Sequence, residues 1–531
     1  MSERYYPDTR DLMRAQRVQR ATLLSLLILA CLIVAGSVAA VYVISPNSSP
    51  IGLIAVPVAL LAALAVPVIV WNNPRSALYI LLVTGLMCGA GQGYQTPVVP
   101  TTYIPFWWNL GLAVRWYAGS EALSGVALSP AEIVMIVATL SWLVRGIAMR
   151  ELTFYRGFLF YPIMAFTLFV GMGAVHGWVT GGDINIILWE IRPQFHFFLV
   201  YLLAANLVQK KEHIQGMVWT VLGAGTLMAC FLVASYAMFG TTEHGVRGME
   251  HSDALFMCSL MFMIFVGWIN ATDRRLSLAG IAVLPIALVA LLASNRRAGI
   301  AAFVIAFIPL LPMLWYIVPH RRKQIGILAM ASLAVGAVYF PIAWNASGAW
   351  ALPARAIRSA SDPNERDAGS NNYRYAEDYN LKATRDIRPW LGYGYGKEFG
   401  QFIPMPYIGD EKLLRYLPHN SVLWIWMRTG HFGFFAFWML IASVMILGCQ
   451  TLRRTTDGWL RYIGLIAVLQ FIMLYVYGKY DLQWTSDRQM CFAAILLGVL
   501  ASLDRIQKSL GGAENQSGEP SEQREAVGAA G

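Results

Sequence analysis

The sequence predicts an all-α polytopic membrane protein with about fourteen transmembrane helices and one large hydrophilic loop. Three observations predict it. The 531 residues are 57% hydrophobic and 13% charged, whereas a soluble domain carries about a quarter charged residues. Apolar runs that approach the roughly 20 residues needed to cross a bilayer recur along the chain. Basic residues fall in short clusters between those runs. The net charge of +10 therefore reads as a topology signal, with the lipid bilayer as partner and no nucleic acid. Six cysteines (Cys31, Cys88, Cys230, Cys258, Cys449 and Cys491) lie in or at the edges of apolar spans without CxxC spacing. They read as small core residues, with neither metal nor disulfide roles.

Residues 1–20 form a basic N-terminus containing Arg4, Arg10, Arg14, Arg17 and Arg20. The apolar run 21–45 exceeds a signal-peptide core and reads as a retained anchor. An N-terminal membrane region, 21–183, holds spans near 21–45, 51–71, 76–91, 129–147 and 157–179. Its loop 91–128 sets Trp107, Trp108, Trp116 and Tyr117 beside Arg115 and Glu121, a composition that suits an interfacial belt. A central region, 184–345, holds spans near 184–208, 213–239, 252–270, 276–294, 298–319 and 324–345. A polar loop subdomain follows at 346–429. The C-terminal region, 430–508, holds spans near 430–450, 458–478 and 487–504. Residues 509–531 have little to bury and read as a disordered cytoplasmic tail.

Numbering the gaps alternately puts Arg75, Arg145, Arg150, Arg156, Lys210, Lys211, Arg274, Arg275, Arg321, Arg322, Lys323, Arg453, Arg454, Arg461, Arg505 and Lys508 on the side of the basic N-terminus. Positive charge is retained in the cytoplasm. Both termini are thus expected inside and the 346–429 loop outside, which in a bacterial inner membrane means the periplasm.

The exceptions to that rule are the informative charges. Arg296 and Arg297 occupy a tight outer turn, Arg247 lies in another outer loop, and Glu190 and Arg192 fall inside a span just before Pro193. Ionisable groups at such depth face a cavity or a partner. One reading makes Glu190 and Arg192 structural glue between spans, with Pro193 a kink. The other groups the arginines around a doubly charged phosphate, because guanidinium forks grip phosphate oxygens in pairs.

The polar loop interleaves Arg355, Arg358, Arg366, Arg374, Arg385 and Arg388 with Asp362, Glu365, Asp367, Glu377, Asp378 and Asp386. Its 373–388 stretch reads as a surface helix. The segment 389–396 reads as a glycine-rich turn, without the βαβ context of a dinucleotide site. The loop closes on His419-Asn420-Ser421, a helix start with Asn420 or Ser421 as N-cap, followed by an apolar segment broken at Gly430 and Gly433. A helix start depresses the pKa of a nearby histidine. His419 is therefore expected to be neutral near pH 7 and able to act as general base. His431 is a nearby second histidine; His251, His244 and His176 lie on the outer side in less telling settings, and His196 lies within a span.

Together these residues resemble the superfamily of O-antigen ligases and polysaccharide polymerases. His419-Asn420, followed after nine residues by Gly430, is similar to its His-Asn motif. Pro389-Trp390-Leu391-Gly392-Tyr393-Gly394 is similar to its Pro-Trp-Leu-Gly-x-Gly segment, with Arg374 upstream, and Ser294-Asn295-Arg296-Arg297-Ala298-Gly299 to its Ser-x-x-Arg-x-Gly turn. The resemblance implies a GT-C-like glycosyltransferase that uses an undecaprenyl-diphosphate-linked glycan, with no metal and no cofactor. His419 would then activate the acceptor hydroxyl. Arg247, Arg296 or Arg297, and also Arg192 and Arg374, would hold the diphosphate, with Asn420, Glu190 and Gly430 in supporting roles. The acceptor expected is lipid A core or a growing polysaccharide. A protein hydroxyl is the alternative within the superfamily, and a lipid-linked sugar transporter or flippase is the rival from another class. A transporter would set its polar groups near the midplane of repeated halves; here they gather at one face.

Overall fold

The computed structural model describes residues 65–517, apart from 90–94, 119–124, 126, 151, 242–244, 271–272, 360 and 406–411. The first expected span, most of the second, His244, Glu121 and residues 518–531 lie outside the described residues. The described fold is helical. It begins with α1 (Ser76–Met87), α2 (Leu110–Ala118), α3 (Pro130–Ala148), α4 (Phe160–Val179) and α5 (Ile184–Leu207). Next come α6 (Lys211–Phe239), α7 (His251–Asn270), α8 (Arg274–Ala293), α9 (Arg297–Ile317) and α10 (Arg322–Ala343). The polar loop contributes α11 (Leu352–Arg358) and α12 (Glu365–Ile387), and the chain continues through α13 (Ser421–Arg454), α14 (Gly458–Gly478) and α15 (Asp487–Ser517).

Among the described residues, eleven helices are long and apolar enough to cross a membrane. They coincide with the last eleven spans expected from sequence. The third expected span is the twelve-residue α1, shorter than a bilayer requires. α7, α14 and α15 are apolar all round and almost wholly buried, whereas α10 is apolar and almost wholly exposed. The first three form the centre of the bundle, and α10 presents the surface expected against lipid. α15 continues through Ser517, into the 509–531 stretch expected as a tail; Ala513, Glu514 and Gln516 are good helix formers.

Polar contacts separate the helix ends into two groups. At one end Lys211 Nζ meets Asp457 Oδ2 at 2.5 Å, Asn270 donates to the Gly458 carbonyl at 2.8 Å, and Arg505 donates to the Ala205 carbonyl at 2.7 Å. These are the ends with basic clusters. The other end collects the polar loop, the α8–α9 turn, the start of α7 and the α14–α15 connection. There Arg488 is buried among Glu250 (2.8 Å), Asp253 (2.5 Å) and the Gly85 carbonyl (2.8 Å), which ties α15 to α7 and α1.

α12 organises the loop. It begins earlier than residue 373 because Asn364 caps it, accepting from the Asp367 N–H at 2.8 Å. Its buried stripe, Tyr373, Ala376, Glu377, Asn380, Leu381 and Thr384, follows helical spacing. The polar members are put to use: Asn380 accepts from the Phe402 and Ile403 N–H groups at 2.8 and 2.9 Å, and Thr384 from that of Gly400 at 2.9 Å.

The glycine-rich segment docks backbone to backbone. The Tyr393 N–H donates to the Met427 carbonyl at 2.7 Å, and the Gly394 N–H to that of Arg428 at 3.2 Å. α13 breaks at Gly430, which has φ 67° and ψ −169°, so that the segment can enter the kink. A Cβ on Gly430 would lie 2.3 Å from the Trp390 carbonyl oxygen, in a backbone conformation that L side chains avoid. Gly430→Ala is expected to cost about 2–5 kcal/mol from strain and overpacking together, read as a lowered Tm. Gly369→Ala, where a Cβ meets nothing within 4 Å, should be neutral or stabilising.

Candidate active site

The α8–α9 turn presents the first two arginines. Asn295 takes φ 55°, a left-handed conformation that asparagine tolerates better than most residues. Ser294 Oγ accepts from the Arg296 N–H at 3.3 Å. Arg296 and Arg297 then line a cavity of about 100 Å³, together with Arg355 from α11, Asp367, Ser370 and Arg374 from α12, and Asp481 from the α14–α15 connection. Asp367, Ser370 and Arg374 share a face of α12 through their three- and four-residue spacing. Four arginines thus face two aspartates around one small volume. Arg355 also donates to Asn295 Oδ1. Asp367 lies 3.5 Å from Arg297 and 3.9 Å from Arg355, longer than the roughly 2.7–2.9 Å of a tight charge-assisted bond. An incoming dianion could compete for those guanidinium groups.

His419 sits beside this cavity. Its Nδ1 lies 3.2 Å from Glu377 Oε1, and its backbone N–H donates to Glu377 Oε2 at 2.9 Å. The almost fully buried Glu377 carboxylate thereby grips both the ring and the chain at this position. The Tyr373 ring meets the imidazole edge to face, with centroids 5.4 Å apart. Burial and Glu377 push the Tyr373 phenol well up, keeping it neutral. Asn420 caps α13 by accepting from the Leu423 N–H at 3.0 Å, and its amide donates to Asp378 at 2.9 Å.

The electrostatics correct one expectation. Burial lowers the His419 pKa, but the Glu377 hydrogen bond and the charges of Glu377 and Asp481 outweigh burial and Arg374 and bring it above the ordinary histidine value. The helix start therefore does not set this residue's protonation; a buried carboxylate in direct contact does. Burial likewise pushes the Asp481 carboxyl up, yet His251, Arg296 and His419 hold it well below the usual carboxylate range. His251 Nδ1 lies 2.6 Å from Asp481 Oδ2.

Arg296, Arg297 and Arg374 are thus brought together with His419. Arg192 lies elsewhere, 3.1 Å from Glu132, and donates to Asn109 at 2.6 Å and the Ala127 carbonyl at 2.8 Å. Arg247 is exposed with its guanidinium 4.9 Å from the centre of the Phe239 ring. His431 contacts the Pro389 carbonyl and packs on Trp390, away from His419's partners. Glu190 is a fastening: its Oε1 meets Arg428 at 2.5 Å, and its Oε2 accepts from the Gly396 N–H at 2.5 Å. The partners Glu377, Asp481, Arg355 and Arg428 were not among the candidates read from sequence.

No curated protein matches the chain. The segment that matches a known family runs from within α8 into α13 and includes the Arg296–Arg297 turn, Arg374, Glu377 and His419. A match there supports a membrane glycosyltransferase of the ligase or polymerase type. Residues 281–438 match the family model described as O-antigen ligase, and the chain's similarity to that superfamily is carried by this segment.

Proposed function

We propose that this protein transfers a glycan from undecaprenyl diphosphate to an acceptor hydroxyl at the periplasmic face of a bacterial inner membrane, in the manner of an O-antigen ligase. The observation that carries the proposal is the four-arginine cavity beside the His419–Glu377 pair. Guanidinium groups fixed around a small volume suit a diphosphate, and they stabilise the charge that grows on it as it departs. With Nδ1 facing Glu377, Nε2 is the nitrogen that takes the proton from the acceptor hydroxyl. The hydroxyl oxygen bonds to the anomeric carbon, and the anomeric carbon–oxygen bond to diphosphate breaks with its electron pair remaining on the leaving group. A single displacement of this kind inverts the anomeric centre. Lipid A core and a growing polysaccharide are the acceptors to examine first.

The experiment is a transfer assay on the purified protein in lipid nanodiscs, with an undecaprenyl-diphosphate-linked glycan and either acceptor. Release of undecaprenyl diphosphate coupled to product is expected, undiminished by EDTA. Absence of transfer with both acceptors would refute the reading, and loss of activity in EDTA would refute chemistry by arginine alone. In the same system Arg297→Ala and Arg355→Ala should each weaken donor binding by roughly 10- to 100-fold, the size of one lost bond to a charged group. Arg192→Ala should leave donor affinity intact, because Arg192 is engaged by Glu132.

A further inference from the structure

A second cavity, of about 280 Å³, opens beside the arginine cavity. The two share Arg374 as a common wall. Glu377, the partner of His419, lines the second cavity, and the charges of Asp481 and Arg374, which line the first, act on the same imidazole. Their chemistry differs. The first sets four arginines against two aspartates. The second balances Arg374 and Lys479 against Glu377 and Asp378, and adds the rings of Tyr375 and Tyr480 and the amides of Asn371 and Asn420. A balanced, aromatic and hydroxyl-binding lining is poorly suited to a diphosphate and well suited to a sugar.

We propose that this second cavity is the subsite for the acceptor saccharide, a proposal that rests on the transferase reading above. A pyranose offers an apolar C–H face and a rim of hydroxyls. Tyr375 and Tyr480 provide surfaces for the face. Asp378 and Asn371 provide acceptors for the hydroxyls, a type of contact that discriminates strongly because an unmatched buried partner is costly. Pockets for drug-sized ligands run from roughly 300 Å³ upward, so the volume suits about one terminal sugar residue. A sugar seated here would have a hydroxyl beside the Glu377-held imidazole, with the donor's anomeric carbon arriving across Arg374. The acceptor O–H bond breaks to His419, the new glycosidic C–O bond forms, and the electron pair of the breaking bond leaves with the diphosphate in the arginine cavity.

Tyr375 is exposed, so Tyr375→Ala should fold normally. Asp378→Asn keeps the oxygen that accepts from the Asn420 amide. The full-length protein in nanodiscs would be assayed at saturating undecaprenyl-diphosphate-linked glycan while lipid A–core oligosaccharide is varied, and then with the lipid-linked glycan itself as acceptor. Each variant should raise the acceptor KM roughly tenfold, with direct binding of the labelled donor unchanged. Arg355→Ala should do the reverse. Unchanged acceptor KM in both variants, or a loss of donor binding equal to that of Arg355→Ala, would overturn the subsite while wild-type transfer upholds the transferase. No wild-type transfer to either acceptor would overturn both.

Discussion

His419→Ala is expected to lower transfer by about 10²–10⁴-fold, the usual contribution of a positioned general base, while donor binding stays close to wild type and Tm falls only modestly. The ring contributes no capping bond to α13, whose N-cap is Asn420, and Glu377 keeps the His419 backbone N–H at 2.9 Å, so removal of the ring should cost the fold less than breaking a fully buried ion pair. The pH profile is the sharper test, because kcat/KM reports groups of the free enzyme. The His419 pKa lies above the ordinary value of about 6.5 because of Glu377 and Asp481. Only the neutral form accepts a proton, so kcat/KM should climb with pH along a limb centred above that value. Glu377→Gln removes the main influence that raises it, while burial and Arg374 continue to lower it. The limb should therefore move to lower pH, with a lower plateau because the imidazole is less basic and less well oriented. A limb that stays in place in Glu377→Gln, or near-normal activity in a folded His419→Ala, would rule out this assignment.

The fold was legible because each span announces itself locally, by an apolar run and by basic residues at alternate ends. Eleven such runs match eleven helices. The candidate site was legible only where residues stood out individually. Arg296 and Arg297 did so through their position on the side poor in positive charge, and His419 by closing the polar loop. Glu377 could not, since the loop has nine acidic residues and nothing in the local sequence says which one meets a histidine 42 positions away. A helix begun at Asn364 adds Asp367 and Ser370 to the face that carries Arg374 and Glu377, through three- and four-residue spacing. Arg192 stands two residues after Glu190, a turn of about 200° along a helix. Glu190 therefore points to Arg428 and the loop while Arg192 points to Glu132.

Arg428→Ala is expected to destabilise the protein by about 3–5 kcal/mol, the cost of removing one partner from a buried ion pair. Arg428 is fully buried, and its guanidinium makes four contacts on three pieces of chain. These are Glu190 on α5 at 2.5 Å, the Gly394 and Lys397 carbonyls at 2.8 and 2.7 Å, and the Tyr416 carbonyl at 3.0 Å. Alanine would leave the Glu190 carboxylate without its counter-ion and take a donor from three carbonyls, of which that of Tyr416 keeps the Trp424 indole N–H at 3.1 Å. Glu190→Gln should cost less, because the side chain can still accept from the Gly396 N–H while Arg428 keeps its three carbonyls. The double variant Arg428→Ala with Glu190→Gln should fall short of the summed single costs, since the two residues act as one unit. Unfolding followed by tryptophan fluorescence in nanodiscs would supply the three values. Activity adds a further distinction, because the 394–397 and 416 segments fix the approach of the chain to His419. Arg428→Ala should lose transfer together with a large part of its Tm, whereas His419→Ala loses transfer with only a small fall in Tm. Wild-type unfolding of Arg428→Ala would mean that the backbone docking at Gly430 suffices to hold the loop, and that the buried pair is dispensable.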